Sequence, residues 1–211
     1  MSQKDYARRL ADDRILRDTM EKVMDGHYRG GDEYSRQRMI NSSTRTVYRI
    51  SEHAVLKLYP PMFDSPTTKE KIENELALFD YFDEIGIPVP DFSFMVTSDH
   101  KHGIVTQDLT HNGKCELKEF APENYGGLKN SRELLVKAVL EWTDFFSEKG
   151  FDGVPYVGLF IKINEEKEGE LVFADLDNLD SRSFSDPTLP DKIMKQFYDK
   201  YPNGEYEIKI R

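Results

Sequence analysis

The sequence of 211 residues has almost no cysteine and no long apolar run. Its one cysteine, Cys115, cannot form an internal disulfide, which fits a reducing compartment such as the cytoplasm. A lone cysteine can also be a nucleophile, although an ordinary thiol is the simpler interpretation. No stretch of 18 apolar residues is present, so we expect no membrane span, and the first residues lack the apolar centre of a secretory signal.

The charge is strongly acidic overall but is unevenly distributed. The formal net charge is −10, which argues against a nucleic-acid partner. Residues 1–50 hold 11 Lys and Arg against 8 Asp and Glu, whereas the remainder holds 18 against 31. The basic excess includes four arginines that surround one polar loop and the strand after it: Arg36, Arg38, Arg45 and Arg49.

Hydrophobic spacing in the first half predicts a helix, a hairpin, a second helix and two more strands. A polar loop over 27–43 separates the first helix from the hairpin. The expected elements are a helix over 4–25, strands over 46–50 and 54–59, a helix over 67–85, and strands over 92–96 and 103–107. The first helix has an apolar stripe that could pack on the sheet or bind a partner.

The second half begins with a polar, turn-rich stretch over 108–130 that we take as the boundary between two lobes. The clearest helical pattern of the chain follows over 131–149, and a hairpin is expected from strands over 158–163 and 171–175. A last helix is predicted over 187–201, and the alternating tail over 202–211 suits an edge strand.

Lys57 is the first residue that suggests chemistry, because it stands between Leu56 and Leu58 in an apolar strand. Such a lysine either points to solvent or is held inward, and a buried lysine needs an opposite charge nearby. Glu75 in the next helix could supply that charge, and Glu73 competes for the same role.

A second signal is the apolar strand that ends in Asp175-Leu176-Asp177. Two carboxylates at the end of a strand suit Mg²⁺, which binds one or two carboxylates together with phosphate oxygens. The alternative is a solvated turn. A weaker third signal is the polar loop around Ser43 and Thr44, where amides and hydroxyls could meet phosphates. That loop contains no glycine, so a plain hairpin turn is the alternative.

These pieces, in this order, resemble the protein-kinase-like superfamily, in particular its small bacterial and phage members and its aminoglycoside-phosphotransferase branch. The resemblance covers about residues 40–180, and its most specific part is the Glu75 helix followed by Gly86-Ile87-Pro88-Val89-Pro90. It implies an α+β, two-lobed kinase-like fold: a β-sheet N-lobe with a C-helix, and a short, mostly helical C-lobe. The expected division is a helical extension over 1–30, the N-lobe over 31–110 and the C-lobe over 111–211.

The resemblance also implies roles for individual residues. Lys57 would bind ATP phosphates and Glu75 would orient Lys57. Ser43 and Thr44 would lie in a degenerate nucleotide loop, and the segment from Gln107 to Leu109 would contact adenine. By the same resemblance, Asp175 would take the position of the Mg²⁺-binding aspartate and Asp177 would be a second ligand.

The catalytic loop departs from the family pattern. Kinases carry an H-x-D-x-x-x-x-N loop between the long helix and the metal-binding aspartate. All five histidines here lie at or before His111, and the expected Asn falls on Gly158 or Leu159. Asp152 is the only acid nearby and would be a substitute base. The sequence therefore predicts an ATP-dependent phosphotransferase or, alternatively, a pseudokinase that binds a protein partner. An AMP-transferring enzyme of the same fold is a further alternative.

Overall fold

The computed structural model describes residues 3–28, 38–41, 45–59, 65–99, 101–111, 113–151, 154–156, 158–176 and 207–209. The chain divides into two compact units. The first consists of Met1–Leu76, Asp91–Asp108 and Lys200–Arg211, and the second of Ala77–Pro90 and Leu109–Asp199. The division into 1–30, 31–110 and 111–211 stays a prediction.

A six-stranded sheet organises the first unit, in the order β1-β2-β3-β5-β4-β9. The first five strands pair antiparallel, and β9 pairs parallel with β4 at the sheet edge. The hairpin predicted over 46–59, the two strands predicted over 92–96 and 103–107, and an edge strand within the tail are confirmed. The strands are β1 (Arg38–Asn41), β2 (Thr46–Arg49), β3 (Ala54–Leu58), β4 (Ser93–Ser98), β5 (Lys101–Gln107) and β9 (Glu207–Lys209).

Two helices precede the sheet, where the sequence pattern predicts one. They are α1 (Gln3–Asp12) and α2 (Arg14–Tyr28), and the break falls at Asp13. The Asp13 carboxylate accepts a hydrogen bond from the amide of Leu16 at 3.0 Å, so Asp13 caps a new helix. The polar loop expected over 27–43 is also wrong in part, because α2 continues to Tyr28 and β1 is a strand.

The apolar stripe of these helices packs on the sheet, which favours the packing interpretation over a partner helix. Fully buried side chains of α1 and α2, such as Leu10 and Met20, share one core with Leu56, Leu58 and Phe94 of the sheet. The Tyr6 ring stacks on Phe92 with 4.3 Å between centroids. One face of the sheet is therefore covered by the N-terminal helices.

Helix α3 (Ser65–Glu84) connects β3 to β4, close to its predicted bounds. Its apolar positions Ile72, Leu76, Phe79 and Phe82 are all buried. The helix ends at Glu84, and Gly86 in the turn after it has a φ of +80°, a left-handed conformation that glycine adopts without strain.

The second unit pairs a three-stranded antiparallel sheet with a long helical run. The strands are β6 (Glu116–Glu119), β7 (Leu159–Ile163) and β8 (Gly169–Phe173). The helical run over 131–148 consists of α5 (Ser131–Leu135), a π-helical segment (Val136–Glu141) and α6 (Trp142–Glu148). Its core is aromatic, with Phe82, Phe146, Phe151, Phe173 and Trp142 in mutual ring contact.

The stretch over 108–130 is not only turns, since it holds β6 and the short helix α4 (Pro122–Tyr125). Strand β6 is not predicted from apolar alternation because three of its four residues are charged. Mixed α and β structure with antiparallel sheets confirms the α+β class. The helix predicted over 187–201 lies outside the described residues. Within the described part of the chain, no helix is both long and apolar enough to cross a membrane.

Candidate functional site

Lys57 is held inside the first unit and does not point to solvent. All five residues of β3 are buried, and Lys57 is only 7% exposed. Side chains alternate along a strand, so Leu56 and Leu58 enter the core under α1 and α2 while Lys57 lies on the opposite face. There it is aligned with Val47 and Ile104 of the neighbouring strands. An apolar setting of this kind makes an opposite charge necessary.

Glu75 of α3 supplies that charge. Its side chain is fully buried, and Lys57 Nζ lies 3.3 Å from its Oε1. Glu73, the competing acid, is only half-buried. The pair of Lys57 and Glu75 predicted from the sequence is therefore formed.

Two further residues complete the surroundings of the carboxylate. Arg45 Nη1 contacts the same oxygen, Oε1, at 3.3 Å, and the Tyr59 hydroxyl donates to Oε2 at 3.3 Å. Burial alone would raise the pKa of Glu75, but the charges of Arg45 and Lys57 outweigh burial and hold the pKa below its ordinary value. Glu75 thus remains a carboxylate in the core of the unit.

The sequence pattern places Arg45 in a basic cluster and in the polar loop before β2, and it does not single out Tyr59. The arginine guanidinium lies 5.3 Å from the centre of the Tyr59 ring, so the two side chains contact each other as well as Glu75. Each stands at the end of a strand, Arg45 just before β2 and Tyr59 just after β3. The antiparallel pairing of β2 with β3 brings these two strand ends together, so the closeness of Arg45 and Tyr59 could have been predicted from the hairpin.

The N-terminal helices also contact this region through His27. One ring nitrogen, Nε2, lies 2.8 Å from the carbonyl oxygen of Tyr59, and Nδ1 lies 3.1 Å from the Tyr48 hydroxyl. A neutral ring with its proton on Nε2 satisfies both contacts, since Nε2 then donates to the carbonyl and the hydroxyl donates to Nδ1. Helix α2 therefore fixes the backbone at Tyr59.

The residues expected to contact adenine have well-defined partners of their own. The Gln107 amide donates to the Phe92 carbonyl at 3.2 Å, and its side chain binds the carboxylate of Asp91. The carboxylate of Asp108, the residue between Gln107 and Leu109, accepts a hydrogen bond from Arg49 Nε at 3.0 Å. Leu109 packs in the second unit against Val172 and Ala174.

Asp175 follows β8 and is half-buried. Gly158 lies against its backbone, since the Ala174 amide donates to the Gly158 carbonyl at 3.0 Å. A Cβ at Gly158 would stand 1.6 Å from the carbonyl oxygen of Asp175, and the φ of Gly158 is +87°. A side chain at this position would therefore need the backbone of Gly158 or Asp175 to move.

Four predicted site residues, Ser43, Thr44, Asp152 and Asp177, lie outside the described residues. Among the residues that are described, no cluster of three or more His, Cys, Asp and Glu side chains could hold a metal ion. Cys115 is half-buried and lines a polar depression of about 370 Å³ together with His111, Lys162 and Glu170.

Comparison with known protein families gives no matching family model, and comparison with curated proteins gives no matching sequence.

Proposed function

We propose that this chain is a kinase-like nucleotide-binding protein in which Lys57 contacts the phosphates of ATP and Glu75 orients Lys57. The observation that carries the proposal is the 3.3 Å contact between a buried strand lysine and a buried glutamate of the next helix. In protein kinases, a lysine on the third strand and a glutamate on the C-helix form the corresponding pair.

The burial of Lys57 and Glu75 supports a functional role for the pair. Removing two charges from water costs several kcal/mol per ion, and the attraction between them does not reliably offset that cost. Perturbed, buried ionisable groups are concentrated at functional sites, although structural ion pairs also occur. The position of the pair supports a functional role, because α3 joins β3 to β4 and the resemblance implies a C-helix between these two strands.

Asp175 fits the metal-binding aspartate of this proposal, because it follows an apolar strand and Mg²⁺ needs few protein carboxylates when phosphates complete its ligands. Asp175, with Asp177, would hold Mg²⁺, which neutralises charge on the phosphate oxygens. Lys57 would position the phosphates, and Asp152 would accept a proton from the attacking hydroxyl if transfer takes place.

A second candidate function is that of a pseudokinase that binds nucleotide and acts on a protein partner. The sequence lacks the histidine, aspartate and asparagine of the catalytic loop. Kinases owe much of their rate to positioning and charge stabilisation, so loss of the base alone does not rule out slow phosphoryl or AMP transfer.

Thermal unfolding with Mg-ATP tests nucleotide binding. A ligand that binds the folded state at 100 times its Kd stabilises it by about 2.7 kcal/mol, so we expect a clear rise in Tm for the natural chain. Lys57→Met should lose this rise. Lys162→Met, which removes a strand lysine of the second unit, should keep it. No rise for the natural chain, or an equal rise for Lys57→Met, contradicts the proposal.

Labelled ATP then separates the two candidates. A phosphotransferase should move the γ-phosphate label to an acceptor, an AMP-transferring enzyme should move the α-phosphate label, and Asp175→Ala should abolish either reaction. If nucleotide binds but neither label moves, the pseudokinase is favoured.

A further inference from the structure

Arg45 contacts the same carboxylate oxygen as Lys57, which gives the candidate site a second cation. Its guanidinium and the Lys57 ammonium each lie 3.3 Å from Glu75 Oε1. Arg45 is 4% exposed, so an arginine, one of the residue types least often buried, is enclosed beside the lysine.

The place of Arg45 in the chain adds to this observation. Arg45 directly follows Ser43 and Thr44, the loop expected to face phosphates, and directly precedes β2. That loop has no glycine, so it fits poorly as a backbone cradle for phosphate. A cation at the end of such a loop could supply by charge what the backbone does not.

The chemistry of arginine suits this task. A guanidinium carries five N–H donors in a rigid fork, so it can contact a carboxylate with one edge and a phosphate with another. Both Glu75 and the Tyr59 ring contact the guanidinium and restrict its position. The low pKa of Glu75 agrees with a carboxylate that stays charged between two cations.

We propose that Arg45 is a second phosphate-binding residue of this site and that, with Lys57, it recognises the polyphosphate of a nucleoside di- or triphosphate. This inference depends on the proposed nucleotide site. It predicts that the contribution of Arg45 to affinity grows with the number of phosphates and vanishes for adenosine.

The test is a series of calorimetric titrations with adenosine, AMP, ADP and ATP, and with inorganic tripolyphosphate. Charge-assisted hydrogen bonds are the strong ones, so Arg45→Met should weaken ATP and tripolyphosphate binding about tenfold or more. Its affinity for adenosine should equal that of the natural chain. Arg45→Lys keeps the charge in the core but loses the fork, so it should fold and show a smaller loss for ATP.

Tyr59→Phe is the matched control, because it removes a hydrogen bond to Glu75 and leaves both cations in place. Any effect it has should be equal for adenosine and ATP. If Arg45→Met or Arg45→Lys weakens both ligands by one factor, or neither, Arg45 is structural and the inference is overturned while the nucleotide site stands. If the natural chain binds no member of the series, the proposed function fails and this inference fails with it.

Discussion

The two units each place a glutamate between two cations, but in opposite surroundings. In the first unit Glu75 contacts Arg45 and Lys57 and is fully buried. In the second unit Glu116 contacts Lys118 at 2.7 Å and Lys167 at 3.6 Å, and all three side chains are largely exposed. Neighbouring cations lower the pKa of both glutamates. The number of ion pairs around a glutamate therefore says little about its contribution to stability until its burial is known.

The source of the difference is the covering of the two sheets. Helices α1 and α2 cover one face of the large sheet and α3 contacts the other, so every residue of β3 is buried. Strand β7 of the small sheet alternates between buried and half-buried side chains, as expected when one face meets water. A charge on β3 therefore has to be paired, whereas a charge on β6 can be solvated.

The largest effect should come from Gly158→Ala, which tests whether the second unit depends on backbone contact in place of buried charge. The new Cβ would overlap the Asp175 carbonyl, and alanine is strained at a φ of +87°. We expect a loss of about 4 kcal/mol in the free energy of unfolding. Urea unfolding followed by fluorescence of Trp142, the sole tryptophan and a core residue of this unit, measures it.

Two other glycines separate the causes of that loss. Gly86 has a positive φ but open space around it, so Gly86→Ala should cost about 1 kcal/mol from backbone strain alone. Gly127 has neither a positive φ nor a neighbour that a Cβ would meet, so Gly127→Ala should change stability by about 0.5 kcal/mol at most. Equal effects at all three positions would show that Gly158 is not packed against Asp175.

The next largest effect should come from Glu75→Gln, which leaves Arg45 and Lys57 buried without their carboxylate. Breaking a buried ion pair on one side typically costs about 3 kcal/mol or more. Hydrogen exchange of β3 and α3 should show the loss directly. Glu70→Gln, an exposed acid of the same helix, is the control and should leave exchange unchanged. If Glu75→Gln leaves hydrogen exchange of β3 and α3 unchanged, the carboxylate is not paired in the core.

The pH dependence of the same variant gives a smaller, graded effect. The pKa of Glu75 is below its ordinary value in the folded chain, so the unfolded chain binds the proton more tightly. The stability that Glu75 contributes is then complete above its ordinary pKa and is lost as pH falls through its folded pKa. The stability gap between the natural chain and Glu75→Gln should therefore narrow in acid. A gap that widens in acid would contradict a Glu75 pKa that is lowered on folding.

The smallest effect should come from Glu116→Gln. Its carboxylate is exposed and its lysines are solvated, so we expect no measurable change in Trp142-monitored unfolding. A loss as large as that of Glu75→Gln would break the comparison between the two units.

Periodicity and resemblance together predicted much of what positions Lys57. The hairpin of β2 and β3 follows from alternation and the helix α3 from helical spacing. The closeness of Lys57 to Glu75 follows from the need of a buried lysine for an opposite charge and from the resemblance. The register of β2 and β3 brings Arg45 and Tyr59 together, but their contacts with Glu75 depend on how α3 packs on the sheet, which the sequence pattern does not show. The break at Asp13 was missed because that residue caps a helix inside a continuous apolar stripe.

Labelling with an acyl-phosphate derivative of ATP tests the central claim most directly, because this reagent acylates a lysine that lies beside bound nucleotide phosphates. Mass spectrometry of the digested protein should find the acyl group mainly on Lys57, and excess Mg-ATP should suppress it. Lys162 and other lysines of the second unit should react weakly and without regard to ATP. Labelling that avoids Lys57, or that ATP does not suppress, would contradict a nucleotide site at the Lys57–Glu75 pair.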